Sequence, residues 1–149
     1  MHISTKCSVA VHCLIFIYEY GNVKKVTSEL LSLSTGSNPV TIRNILSSLK
    51  KAGVISIKSG TGGAALAAPL PEITLYRICK AIEPDFMKKL IGVHAMPSPF
   101  CPVGKNIHKV LDCSYEKIQN DLCNSLQAIT MENIIADYHW NTQDKRKFK

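Results

Sequence analysis

Asn38-Pro39-Val40-Thr41-Ile42-Arg43-Asn44-Ile45-Leu46, running on through Ser47, Ser48 and Leu49 to Lys50-Lys51-Ala52-Gly53, is the stretch that decides the fold. Asparagine accepts from the first free N–H groups of a helix, and proline suits the first helical position, where its missing N–H costs nothing. Asn38-Pro39 therefore predicts a helix beginning at Pro39. Ile42, Ile45, Leu46 and Leu49 recur at the spacing of one buried stripe. The opposite side carries Thr41, Asn44, Ser48 and Lys51, flanked by Arg43, Ser47 and Lys50, without a carboxylate. A helix lying against nucleic acid must offer donors to base edges and no negative charge to phosphates. A merely solvated helix more often mixes Glu with Lys.

Upstream, Thr27 is a candidate N-cap, and Glu29 falls in the first turn, where the helix dipole favours an anion. Leu30, Leu31 and Leu33 supply apolar contacts. The chain then breaks at Ser34-Thr35-Gly36-Ser37, where Gly36 can take a positive φ. Two helices joined by a tight glycine turn, the second with a carboxylate-free polar face, describe a helix-turn-helix.

Downstream, Val54, Ile55 and Ile57 precede Lys58-Ser59-Gly60-Thr61-Gly62-Gly63, and Ala64 to Ala68 return as a small-residue strand. This is a β-hairpin with a flexible tip. The loop lacks the Gly-Lys-Ser/Thr ending and the Gly-x-Gly-x-x-Gly spacing of nucleotide sites. After a helix-turn-helix it reads as a wing, with Lys58 supplying charge. An apolar helix from Ser4 to Tyr20 comes before this unit. After Pro69 and Pro71 come a short helix, a connector with Pro97, Pro99 and Pro102, and a long helix over about 103–128.

The long helix would extend about 35 Å or more. Ile107, Leu111, Ile118, Leu122 and Ile129 return to one side, with Val110 and Leu126 adjacent. Such a stripe either packs back on its own domain or pairs with a second copy, and its length favours the pair. Thr130 is set to cap a short return helix anchored by Tyr138 and Trp140. The expected fold class is mostly α with a small β-hairpin wing: a winged helix-turn-helix plus a long C-terminal dimerisation helix. The expected domains are a DNA-binding unit over 1–83, a proline-rich connector over 84–102, the long and return helices over 103–136, and a basic tail over 137–149.

The bulk composition agrees. Of 149 residues, 46% are hydrophobic, enough for a packed core. No apolar run reaches the roughly 18 residues that span a bilayer. Val9 to Tyr18 is interrupted by His12 and lacks a signal-peptide cleavage site, so a cytoplasmic protein with no membrane partner is expected. The net charge of +7 favours polyanionic partners. About half of that excess sits in Lys145, Arg146, Lys147 and Lys149, which form either a phosphate-seeking arm or a solvated end.

Six cysteines without an export signal argue for free thiols, and no Cys-x-x-Cys pair points to a metal. Cys113 and Cys123 are about 15 Å apart along the long helix, too far for one cluster or one disulfide. Cys7, Cys13 and Cys79 read as small core fillers. Cys101 precedes Pro102 at the helix start, where N–H groups and Lys105 would favour the thiolate; it is a candidate redox or electrophile sensor, or else merely a cap. Cys101 with His108 offers too few ligands for a closed metal site.

In this order the parts resemble the Rrf-two family of winged helix-turn-helix transcriptional regulators, relatives of IscR, NsrR and CymR, of the cluster-free type. The resemblance rests on Ile3-Ser4-Thr5-Lys6, on the stretch from Asn38 to Gly53, on Gly60-Thr61-Gly62-Gly63 with Leu66-Ala67 and Ile73-Thr74-Leu75, and on Cys101-Pro102-Val103-Gly104 with Thr130-Met131-Glu132. It reaches to about residue 135. It implies a homodimer on a pseudo-palindromic operator, with no iron–sulfur cofactor. The candidate DNA-binding residues are Thr5, Lys6, Thr27, Asn38, Val40, Thr41, Arg43, Asn44, Lys51, Lys58, Ser59 and Thr61. Arg43 could fork onto guanine and Asn44 onto adenine. The candidate dimer interface is Ile107, Val110, Leu111, Ile118, Leu122, Leu126 and Ile129. Ala64 to Ala68 depart from the family, where relatives often place a larger or basic residue, so weaker wing contacts are expected.

A DNA-binding regulator, presumed a repressor and switched by a thiol or a small-molecule effector, is thus the reading, with no catalytic residue. Its rivals are a winged-helix scaffold for proteins and a thiol enzyme using Cys101 with His94 or His108 as base. The enzyme lacks a visible orienting group. The region from Asp85 to Phe100, with Met87 and Met96, is either a ligand pocket or packed loop.

Overall fold

The computed structural model describes residues 3–60 and 62–146, with side chains as far as residue 143. In chain order it contains α1 (Thr5–Tyr20), α2 (Ser28–Thr35), α3 (Pro39–Lys51), β1 (Ile55–Lys58), β2 (Gly63–Leu66), a 3-10 turn (Leu70–Glu72), α4 (Leu75–Ile82), α5 (Pro102–Ala128) and α6 (Met131–Arg146).

Local chemistry sets each boundary of the helix pair. The Thr27 hydroxyl accepts from the Leu30 N–H at 3.2 Å and opens α2. Gly36 closes it in the left-handed region at φ 68°, with its N–H on the Ser32 carbonyl. Asn38 then opens α3, its Oδ1 accepting from the Val40 N–H at 2.8 Å, with Pro39 in the first turn. Ile42, Ile45, Leu46 and Leu49 are all buried, as their spacing requires. They meet Leu14 and Ile17 of α1, Leu31 of α2 and Ile78 of α4 in one core. Leu33 departs from expectation at 83% exposed. It lies two residues beyond Leu31, about 200° round the helix, so only one of the two can face α3.

The wing is an antiparallel pair in which Ile55 faces Leu66 and Lys58 faces Gly63. β2 is also tied to the chain entering α2, since the Ala64 N–H donates to the Val26 carbonyl at 3.0 Å. Gly63 stands at φ 66°, and a Cβ there would lie 2.8 Å from the Val26 oxygen. Only glycine allows the wing to approach so closely.

The connector is less open than expected. Phe86 and Leu90 are buried, and Phe86 joins Cys7, Cys79 and Leu126 in a second small core beneath α5. α5 spans 27 residues, about 40 Å. Its C-terminal end is fastened to the helix-turn-helix and wing unit: the Leu75 N–H donates to the Ile129 carbonyl at 2.9 Å, and the Met131 N–H to the Ile73 carbonyl at 2.7 Å. Thr130 caps α6 as expected, its Oγ1 accepting from the Asn133 N–H at 3.3 Å. α6 is longer than the short return helix expected, and the segment from 137 assigned to a tail is helical to Arg146. His139, rather than Trp140, anchors it, by a side-chain hydrogen bond between its ring Nε2 and the Glu19 carboxylate of α1; Tyr138 is half-buried and Trp140 exposed. No helix among the described residues is long and apolar enough to cross a membrane.

Candidate nucleic-acid interface

α3 forms a ridge between two clefts. One, about 90 Å³, lies between α3 and the start of α1 and is lined by Lys6, Thr41, Asn44, Ser48 and Ile82. The Ser4 hydroxyl caps α1 and accepts from the Lys6 N–H at 3.3 Å, leaving Thr5 and Lys6 exposed beside the ridge. The other cleft, about 460 Å³, separates α3 from the wing; Lys25, Arg43, Lys50 and Lys58 line it, with Ser59 and the Thr27 cap. The ridge itself shows Asn38, Val40, Arg43 and Asn44 to solvent, with Thr41 half-buried. Exposed Val40 is suited to a thymine methyl group, while Arg43 and Asn44 carry the paired donors and acceptor that read base edges.

Three features refine the sequence expectation. First, the polar face is carboxylate-free only along α3. Glu29 of α2 reaches across to Arg43, with Oε1 3.4 Å from Nη2. Its own backbone N–H, the Arg43 guanidinium and Ser28 hold the Glu29 carboxyl below the usual carboxylate value. Second, Lys25 was not foreseen. Its ammonium donates to the Gly60 carbonyl and so joins the α2 entrance to the wing tip. The Lys24-Lys25 pair before the Thr27 cap was the available signal, once β2 was known to pair with Val26. Third, Lys50 and Ser47, read only as flanking residues, line the larger cleft, whereas exposed Lys51 lines neither cleft. Thr61 lies outside the described residues.

The remaining candidates divide by location. Cys101 is exposed at the start of α5, and the N–H groups of Gly104 and Val103 hold its thiol below the ordinary value. The ring of His108 meets the His94 carbonyl at 2.9 Å, with the two imidazoles edge to face. Among the described residues no group of three His, Cys, Asp or Glu side chains converges as metal donors. Met96 and Phe100 are 92% and 96% exposed, and Met87 packs on the second core; of the two readings open for 85–100, they do not enclose a ligand pocket. A groove of about 500 Å³ lies instead along α1, lined by Val11, His12, Phe16, Tyr20 and Tyr138 among others.

The long-helix stripe is also divided. Val110, Ile118 and Ile129 are exposed and Ile107 and Leu111 half-buried. Leu126 is not available to a partner: it is 8% exposed in the chain's own second core, with Leu122 packed beside it. The last turns of α5 run over α4 and Phe86, which the helical period alone could not reveal.

Residues 3–137 match the Rrf2 family, described as "Iron-dependent Transcriptional regulator". The chain is 32% identical over 133 residues to a Bacillus subtilis (strain 168) protein named "Putative HTH-type transcriptional regulator YwnA", covering 89% of this chain and 96% of that one. A solved structure of a transcriptional regulator assigned as such in Lactobacillus plantarum superposes with a TM-score of 0.74 at 26% identity, covering 97% of this chain and 99% of the other. CymR (YrzC), the global cysteine regulator of B. subtilis, superposes with a TM-score of 0.68 at 17% identity, over 91% of this chain and 97% of its own, a likeness of fold.

Proposed function

The chain belongs to the Rrf2 family of transcriptional regulators, and from that premise we propose that it acts in the cytoplasm as a homodimeric, sequence-specific repressor on a pseudo-palindromic operator. The observation that carries this reading is the ridge of α3, with its base-reading side chains, set between two clefts whose cations come from α1, the α2 entrance and the wing. Lys6, Lys25, Lys50 and Lys58 would hold phosphates; Val40, Thr41, Arg43 and Asn44 would read bases. Two copies joined through Val110, Ile118 and their neighbours on α5 would present two α3 helices to successive major grooves. No cofactor and no catalytic step enter the reading. Cys101, exposed and with its thiol pKa lowered, supports a thiol-based response.

Selection from random duplexes across a salt series tests it, comparing the native chain with Arg43→Ala/Asn44→Ala. The native chain should enrich a two-fold symmetric site, and the double variant should keep salt-sensitive binding while losing that preference. Weak, sequence-blind binding by the native chain would discard the regulator reading in favour of a protein-binding scaffold. An oxidant response that Cys101→Ser abolishes would place the switch at that thiol; a response it leaves intact would remove Cys101 from that role.

A further inference from the structure

Two of the six cysteines stand together although 72 positions separate them. Cys7 lies in the first turn of α1 and Cys79 in the last turn of α4. They are 5% and 4% exposed and share one small core with Phe86 and Leu126. Interaction with the Cys79 side chain, then burial and the Glu83 carboxylate, push the Cys7 thiol up, while interaction with Cys7 lowers that of Cys79. Packing alone does not require two thiols in so small a core; a cysteine filling space as a small hydrophobe needs no second sulfur.

We propose that Cys7 and Cys79 are a redox modification site, a dithiol that hydrogen peroxide converts reversibly to a disulfide between α1 and α4. The Cys79 thiolate attacks one peroxide oxygen; the O–O bond breaks, a sulfenic acid forms on Cys79, and hydroxide leaves and takes up a proton as water. The Cys7 sulfur, losing its proton, then attacks the Cys79 sulfur. The S–S bond forms as the S–O bond breaks, and a second water leaves. Two thiols and one peroxide thus give one disulfide and two waters.

The site is placed to matter. Bonded sulfurs sit about 2.05 Å apart, so oxidation would tie the first turn of α1 covalently to the last turn of α4. Lys6 precedes Cys7 and lines the cleft against Thr41, Asn44 and Ser48 of α3; Ile82 of α4 lines the same cleft. The crosslink would therefore constrain the segment that carries a proposed phosphate contact beside the recognition ridge. This consequence rests on the DNA-binding reading; the crosslink itself does not.

The test uses the full chain and a Cys101→Ser/Cys113→Ser/Cys123→Ser variant, each treated with equimolar hydrogen peroxide under native conditions. Digestion without reductant, followed by mass spectrometry, should show a Cys7–Cys79 linked peptide two hydrogens lighter than the separate peptides, restored by dithiothreitol. Further Cys79→Ala substitution should abolish it. Retention of both thiols, or oxidation to sulfinic acid without a crosslink in folded protein, overturns the proposal. Affinity for the selected duplex should fall roughly tenfold on oxidation. An unchanged affinity with the crosslink formed overturns the regulatory consequence. A reduced chain that selects no duplex sinks the DNA reading instead, while the linked peptide is still scored by mass.

Discussion

Arg43 and Glu29 meet across the turn between α2 and α3, with side chains 58% and 66% exposed. In water such a pair is weak, and phosphate or guanine can compete for the same guanidinium. In the proposed complex Glu29 would be a resting partner for Arg43 that an approaching polyanion displaces. Replacing Glu29 with Gln should tighten binding to arbitrary duplexes and reduce discrimination, whereas Arg43→Ala should weaken binding to the selected site by roughly tenfold or more. Fluorescence anisotropy on matched and scrambled duplexes separates the two effects; equal responses in both variants would refute the assignment. At Cys101 the charged form is favoured by the N–H groups at the start of α5. Because the thiolate is the nucleophile, its alkylation should become fast at a pH below that at which an ordinary free cysteine reacts. A pH series with iodoacetamide and peptide mapping reads this directly, and a profile at or above the ordinary thiol range would contradict it.

At the scale of elements, α3 is aimed by what grips its two ends. Asn38 fixes the first turn, and at the other end Arg77 of α4 donates to the Ala52 carbonyl at 3.0 Å and to the Glu72 carbonyl at 3.3 Å. Arg77→Met keeps much of the aliphatic volume but leaves those carbonyls without this donor, so it should cost about 1–3 kcal/mol in urea unfolding. The wing depends on Gly63: alanine there would be strained at a positive φ and would press on the Val26 backbone. A loss of at least about 1–3 kcal/mol is expected from the backbone term, and a midpoint equal to that of the native chain would show that the wing can move aside. Such local chemistry is what a sequence exposes. Thr27, Gly36, Asn38 and Pro39 each act on residues within a turn of themselves, so both helices of the reading unit were legible to the residue. Lys25 at the wing, Leu126 in its own core and the shared core of Cys7 and Cys79 depend on partners dozens of positions away. Leu33 was misjudged because an eight-residue helix is too short for its apolar period to declare one face.

Over the whole molecule, α5 leaves the reading unit with Val110 and Ile118 uncovered along its middle. If these form the seam of the proposed dimer, Val110→Glu/Ile118→Glu should give a folded monomer by sedimentation velocity, unchanged in helix content, that no longer selects a two-fold symmetric site. A dimer that survives both changes would locate the seam elsewhere. The backbone contacts of Leu75 and Met131 with Ile129 and Ile73 bear on the same geometry. They act as a fulcrum at one end of a rod about 40 Å long. A rotation of about 5° at that fulcrum sweeps the far end of the rod through about 3.5 Å, a displacement comparable to one base-pair step. In a paired assembly, small motions near the fulcrum would thus be geared up into a mismatch between two reading heads and the pitch of the duplex beneath them.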